Sequence, residues 1–268
     1  MPDMRYLTVH GNKLEYFWHG PGPDKTPSLV FLHEGLGCAA MWRGFPAALA
    51  ARTGCGAFVF SRLGYGGSDA CRLPRTIRFM HDEGLISMPA LIQAAGIRKA
   101  ILIGHSDGGS IALIFAGGTP ASAVMGVITE AAHVFCEPLT LRAIEKAREN
   151  YRYHGLKAAL EKYHGPNTHC AFRGWNDTWL HPDFRHWNIE EYLPRIRVPV
   201  LAIQGEQDIY GTLAQVDAIR AQAGAGAEVC IFDRCGHSPH KEKPNATLET
   251  MSRFVNQLLC AADRQSPP

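Results

Sequence analysis

Six short apolar runs recur along this chain: SLVFLHEG, CGAFVFSRLG, KAILIGHS, VMGVITEAA, VPVLAIQGE and AEVCIFDRCG. Each has the length and the Val, Ile and Phe content of a strand, and most are separated by enough residues for a helix. A strand that returns parallel to its neighbour needs such a crossover. It is also buried on both faces, so it reads as an unbroken apolar run rather than an alternation. The predicted fold is therefore α/β, a doubly wound and mostly parallel sheet. The 268 residues are enough to bury a substantial core.

The beginning of the chain differs. Arg5 to His10 and Lys13 to Trp18 alternate polar and apolar residues on either side of Gly11-Asn12, which predicts an antiparallel hairpin ahead of the parallel strands. Apolar faces mark three helices, through Trp42, Phe45 and Leu49, through Leu213, Val216 and Ile219, and through Leu248, Met251, Phe254, Val255 and Leu258. Thr212 with Gln215 reads as a capping box, and Gly224 as the far end of that helix.

One interval breaks the rhythm, since about sixty residues lie between the strand ending near Ala132 and the strand starting near Val198. Leu141, Ile144, Arg148 and Tyr151 fit one helical face, Leu156, Leu160 and Tyr163 a second, and Phe172, Trp175 and Trp179 a third. Gly155 and Gly165-Pro166 break them. Residues 134–193 are read as a helical cap inserted into a core formed by residues 1–133 and 194–268. A cap over the carboxyl ends of the strands encloses an apolar pocket where such sheets bind ligands. By position His133 and Trp175 are candidate substrate contacts, whereas Arg142, Lys146, Arg148 and Arg152 read as a solvated helix face.

The third run ends in Gly104-His105-Ser106-Asp107-Gly108, after which Ile111, Leu113, Ile114 and Phe115 continue as a packed helix. G-x-S-x-G between a strand and a helix is a nucleophile elbow, whose sharp turn lifts a serine above the sheet edge and whose small residues let the chain fold beneath it. A serine hydroxyl needs a base to take its proton, and the base needs a carboxylate to fix its tautomer. His237 lies in the loop after the last strand and Asp208 just after the strand before it, so both belong to the sheet edge that carries Ser106. Glu130 ends an earlier strand and is the competing acid, read as a strand-end or pocket carboxylate.

These features resemble the α/β-hydrolase superfamily in the elbow, in the chain order Ser, Asp, His, and in the glycine-rich turn Ser61-Arg62-Leu63-Gly64-Tyr65-Gly66-Gly67-Ser68-Asp69. Phe31-Leu32-His33-Glu34-Gly35-Leu36-Gly37 resembles the family's His-Gly loop. The resemblance implies an oxyanion hole built from the backbone N–H groups of Gly35 and Asp107. Glu34 departs from it, standing where a glycine normally follows the histidine. An inward carboxylate would oppose an oxyanion, so Glu34 is expected to point away toward a buried polar partner, and it is retained as a candidate substrate contact.

The function expected is a serine hydrolase acting on a small or medium carboxylic ester or thioester through an acyl-enzyme on Ser106, with no cofactor and a small molecule as its partner. Two other readings use the same fold: a C–C bond hydrolase or lyase with the same triad, and a non-catalytic ligand receptor. His237 to His240 spells HxxH without the HExxH pattern of a zinc hydrolase, so no metal is expected. A charged fraction of 19% and a formal charge of +2 provide no basic field for nucleic acid. The first twenty residues alternate without a continuous apolar stretch, which argues against a signal peptide or membrane span and for a cytoplasmic protein. Without such a signal the eight cysteines, none in CxxC spacing, are expected to be reduced thiols.

Overall fold

All six apolar runs become parallel strands. The computed structural model describes residues 3–120 and 123–265, and its strands are β1 (Arg5–Val9), β2 (Asn12–His19), β3 (Ser28–Leu32), β4 (Gly56–Phe60), β5 (Ala100–His105), β6 (Val124–Glu130), β7 (Val200–Gly205) and β8 (Ala227–Phe232). Their order is β1-β2-β4-β3-β5-β6-β7-β8. β2 pairs antiparallel with β1 and β4, and the remaining pairs are parallel. This is the alpha/beta hydrolase fold. The order of winding reverses between β3 and β5, so a crevice opens outside their carboxyl ends, where open α/β sheets bind ligands.

The helices are α1 (Phe45–Thr53), α2 (Phe79–Asp82), α3 (Met88–Ala94), α4 (Asp107–Gly118), α5 (Pro138–Tyr153), α6 (Leu156–His164), α7 (Thr168–Trp179), α8 (Ala214–Gln222), α9 (Pro239–Glu242) and α10 (Pro244–Gln265). The two-residue period of a strand divides the core between two layers. Leu29 and Phe31 of β3 pack with Leu49 of α1 and Met251 and Val255 of α10. Val30 and Leu32 belong to the opposite layer, with Met88 and Leu91 of α3 and Ile111 of α4. Among the described residues no helix is long and apolar enough to cross a membrane.

Two local expectations change. The hairpin turn is His10-Gly11 rather than Gly11-Asn12, with Val9 opposite Asn12. Both turn residues have positive φ, 49° and 79°, the combination that a two-residue turn needs to match the strand twist, and the histidine accepts it. The capping box at α8 is not formed. Thr212 receives the carboxylate of Glu137 at its amide (3.0 Å) and hydroxyl (2.7 Å). Gln215, fully buried, bonds instead to the Val134 amide (2.7 Å), the Phe135 carbonyl (3.1 Å) and Glu137 (2.7 Å). Gly224 does lie just past the end of α8, as expected, though without a left-handed backbone: its amide donates to Leu193 at 3.0 Å, and a Cβ there would lie 2.3 Å from the Pro194 carbonyl oxygen.

Between β6 and β7 the chain forms α5, α6 and α7 and short 3-10 turns at Gly165–Asn167, Pro182–His186 and Glu190–Arg195. Gly155 and Gly165, both with positive φ, separate the helices. The two ends of this segment meet at an isolated bridge between Phe135 and Asn188. Ile144, Leu160, Phe172, Trp175 and Trp179 are buried, while Arg142, Lys146 and Arg152 are exposed.

Candidate active site

β5 ends at His105 and α4 begins at Asp107, leaving Ser106 alone to make the turn. Ser106 adopts φ 53° and ψ −118°, a conformation costing a residue with a side chain on the order of 1–3 kcal/mol. Its surroundings hold it there. Its amide donates to the Glu130 carbonyl at 2.8 Å, and its carbonyl accepts from the amides of Gly109 (2.8 Å) and Ser110 (3.1 Å). A Cβ on Gly104 would lie 2.3 Å from the Gly108 carbonyl oxygen, and one on Gly108 would lie 2.1 Å from that of Leu32. The motif needs both glycines because the elbow lies against its own strand and against the end of β3.

Asp208 and His237 reach the same edge from β7 and β8. The turn after β7 is laid on the loop after β8, with the Glu206 amide on the Phe232 carbonyl (3.0 Å) and the Gln207 amide on that of Cys235 (2.8 Å). Glu242 holds the histidine loop from outside, accepting from the amides of Gly236 (2.7 Å) and Ser238 (2.9 Å). His237 Nδ1 lies 2.9 and 2.8 Å from the two oxygens of Asp208. That carboxylate also accepts from Gln204 Nε2 and the Tyr210 amide, each at 2.8 Å. Burial alone would raise the Asp208 pKa, but the bond and charge of His237 and the Tyr210 amide outweigh it and hold the group below the ordinary carboxylate value. A carboxylate only accepts, so Nδ1 carries the proton and Nε2 is the nitrogen free to take one. Among the described residues no hydrogen bond joins the Ser106 hydroxyl to His237.

Glu130 serves a different histidine. Its Oε2 accepts from Nδ1 (2.8 Å) and the backbone amide (3.1 Å) of His240, and its Oε1 is buried without a hydrogen-bond partner. His105 stands between the two acid–histidine pairs, its ring 5.1 Å from each of His237 and His240. Its Nε2 donates to the His237 carbonyl at 2.7 Å. Burial, then the neighbouring His237 and His240, push the His105 pKa well below the ordinary value, so the ring is a neutral strut under the His237 loop. The doublet HSPH was the sequence trace of this second pair, but nothing in the sequence joins His240 to a glutamate 110 residues away.

The loop after β3 is fixed from below. His33 Nε2 accepts from the Arg62 amide at 3.0 Å, which places the ring proton on Nδ1, 2.7 Å from the Glu34 carbonyl. The buried guanidinium of Arg62 donates to the carbonyls of Glu34 (3.0 Å) and His33 (3.3 Å). Among the described residues the Gly35 amide donates to no protein acceptor, and Asp107, as the first residue of α4, has no acceptor within its helix. The Glu34 carboxylate reaches the Leu36 amide (3.4 Å) and Lys241 (3.6 Å), so its charged partner is an exposed residue rather than the buried one expected.

Of the other candidate contacts, Trp175 is buried with its indole over Gly35, where a Cβ would fall 2.2 Å from the ring. His133 lies 6.0 Å ring to ring from His237 and donates from Nε2 to the Tyr210 carbonyl at 3.0 Å. Burial and then His237 bring its pKa down to about 4. Two features of Asp107 escaped sequence reasoning. Its side chain is buried, with Oδ1 accepting from Trp179 Nε1 at 3.2 Å and Oδ2 unpartnered. Its pKa is raised to about 6 by burial, against the opposing pull of Arg62 and Trp179. Among the described residues no three His, Cys, Asp or Glu side chains converge as a metal site requires.

This fold, with a serine elbow and an acid–histidine pair at one sheet edge, defines a class, and the chain belongs to the alpha/beta hydrolase family, which it matches over residues 29–250. It is 24% identical over 271 residues to the 2-succinyl-6-hydroxy-2,4-cyclohexadiene-1-carboxylate synthase of Salmonella typhimurium, an alignment covering 88% of this chain and 97% of that one. Among solved structures it shares its fold with an esterase from Rhodococcus sp. ECU1013, at a TM-score of 0.73 and 20% identity over 95% of this chain and 99% of that one. It shares it equally with the enol-lactonase from Burkholderia xenovorans LB400, at 0.72 and 20% over 94% and 99%.

Proposed function

We propose that this protein hydrolyses a small or medium carboxylic ester or thioester through an acyl-enzyme on Ser106. The observation that carries the reading is the double contact of Asp208 on His237 Nδ1, which leaves Nε2 free to act as a base at the edge where the elbow carries Ser106. His237 takes the serine proton as Ser106 attacks the acyl carbonyl, and returns it to the leaving alcohol or thiol. Asp208 supports the imidazolium that forms. The amides of Gly35 and Asp107 receive the developing oxyanion. Water, activated by the same histidine, then releases the acid. The hydrogen bond from Ser106 to His237 Nε2 forms as substrate arrives and closes the site. Residues 134–193 act as the cap, and Trp175 and His133 border the acyl group. The esterase and lactonase names of the structural relatives agree with an acyl substrate.

A second reading, lyase chemistry with the same triad, is favoured by the synthase relative, which aligns along most of both chains. In it Ser106 acts without forming an acyl-enzyme. The two separate by experiment. A serine-directed phosphonate should label Ser106, Ser106→Ala should cut turnover of ester panels by at least about a thousandfold without loss of fold, and rapid quenching should trap an acylated protein by mass. Turnover without an acylated species supports the second reading, and full activity in Ser106→Ala removes both.

A further inference from the structure

We propose that Cys71 and Cys170 are a modification site, a pair of thiols that close reversibly into a disulfide joining the loop after β4 to α7, with low-molecular-weight disulfides and hydroperoxides as the oxidants. The two sulfurs lie 2.8 Å apart although 99 residues separate them in sequence. Closing them to the about 2.05 Å of a disulfide takes roughly 0.8 Å of movement. The two thiols are not equivalent. Cys71 is half-buried in a loop whose next three residues are exposed, whereas Cys170 is buried. Arg75 donates from Nε to the Cys71 sulfur at 3.3 Å. The guanidinium is held in that pose by the Leu63 carbonyl (2.7 Å), the Tyr65 hydroxyl (3.3 Å) and the Tyr65 ring, 4.8 Å from its carbon.

The Cys170 thiol, against the effect of burial and with the help of the Arg75 charge, lowers the Cys71 pKa, and Cys170 moves up in return. Burial instead raises Cys38, Cys55, Cys136, Cys230 and Cys235. Cys71 is therefore the attacking thiolate and Cys170 the resolving thiol. With a disulfide reagent, Cys71 bonds to one reagent sulfur and expels the other as a thiolate. The Cys170 proton passes to that thiolate, and Cys170 then attacks the Cys71 sulfur and expels the second reagent thiolate. The protein loses two electrons and two protons, and the reagent leaves as two thiols. With a hydroperoxide, the Cys71 thiolate takes the terminal oxygen as the O–O bond breaks, and the alkoxide leaves as the alcohol by taking a proton. Cys170 then attacks the sulfenic sulfur, forming the S–S bond and releasing the oxygen as water with the Cys170 proton. Because α7 carries Trp175 against Gly35 and Trp179 against Asp107, the bond fastens the helix above the sheet edge to the core.

The test is independent of which reaction the protein catalyses. The full chain is incubated with oxidised glutathione, alkylated without reduction, digested and mapped by mass spectrometry. The expected product is a peptide linked through Cys71 and Cys170, an intact mass lower by about 2 Da, and reversal by dithiothreitol. Cys170→Ser should accumulate a glutathione adduct on Cys71, and Cys71→Ser should leave Cys170 unmodified. The oxidised wild type should melt about 5–10 °C higher than the reduced form, a rise absent from both variants. Absence of the linked peptide, preferential linkage to another cysteine, or equal adduct formation on Cys170 in Cys71→Ser overturns the site. An unchanged melting midpoint in the linked protein overturns the fastening.

Discussion

Three carboxylates near Ser106 are set apart by what each touches. Asp208 is surrounded by donors and kept charged, Glu130 is committed to His240, and Asp107 is buried with one oxygen unpartnered. Removing the acid that orients His237 should leave the wrong tautomer, so Asp208→Asn is expected to lower kcat by about three to four powers of ten with the fold retained. Glu130→Gln should cost less than about tenfold, since it reaches His237 only through His240 and His105. Parallel kinetics and circular dichroism decide the matter, and a larger loss in Glu130→Gln would transfer the triad role to it. Asp107 makes a separate statement about pH. Its pKa in the fold, about 6, lies above its ordinary 3.8, so the folded chain holds this proton more tightly than the unfolded chain does. The contribution is fully present below pH 3.8 and lost as pH rises through about 6, on the order of 3 kcal/mol in all. Asp107→Asn keeps an acceptor for Trp179 and cannot ionise. Urea midpoints should show that it flattens the decline between pH 4 and 6; the same slope in both proteins would contradict the assignment.

At the scale of elements, what could be read from sequence was whatever depends on neighbours along the chain. The six parallel strands show as apolar runs because burial on both faces leaves no polar alternation, and Ser106, Asp208 and His237 could be placed because each follows a strand end. Three things could not be read, because they depend on which residues pair in the fold rather than on the local run of residue types. The turn moved to His10-Gly11 because cross-strand pairing, not the turn dipeptide alone, fixes the register. Thr212 and Gln215 have the spacing of a capping box, yet the capping carboxylate comes from Glu137, 75 residues earlier. The pairing of Trp179 with Asp107 spans 72 residues. Trp175 is the element-scale test. Its indole fills the space over Gly35, so Trp175→Phe should relieve crowding beside the loop after β3 and keep most of the buried area of α7. The ratio of kcat/KM for branched over acetyl esters should rise by about tenfold, while the rate of labelling by a small phosphonate changes little. Equal changes across all substrates and the probe would make α7 a structural cover alone.

Across the whole molecule, the segment between β6 and β7 is attached to the core at both of its ends. Near the site, His164 accepts from the Gly66 amide (2.9 Å) and donates to the Leu36 carbonyl (2.9 Å), Asn167 reaches the carbonyls of Gly66 and Ser68, and Trp179 meets Asp107. At its base, Gln215 and Glu137 join the Val134–Phe135 backbone to the start of α8. The first set joins the ends of α6 and α7 and the turn between them to two loops and to the start of α4, whereas the second satisfies the buried Val134 amide, which has no other acceptor among the described residues. Gln215→Ala would leave the Val134 amide buried and unpaired, a loss of about 1–3 kcal/mol. The sheet does not depend on that bond, because β5 and β6 pair through their own ladder. The cost should therefore appear as local opening. Hydrogen exchange of Gln215→Ala should be faster by about tenfold in α5, α6 and α7 and unchanged in β5 and β6. Uniform acceleration through sheet and helices would mean that the segment and the core open as one cooperative unit, and that the base does not act as a hinge.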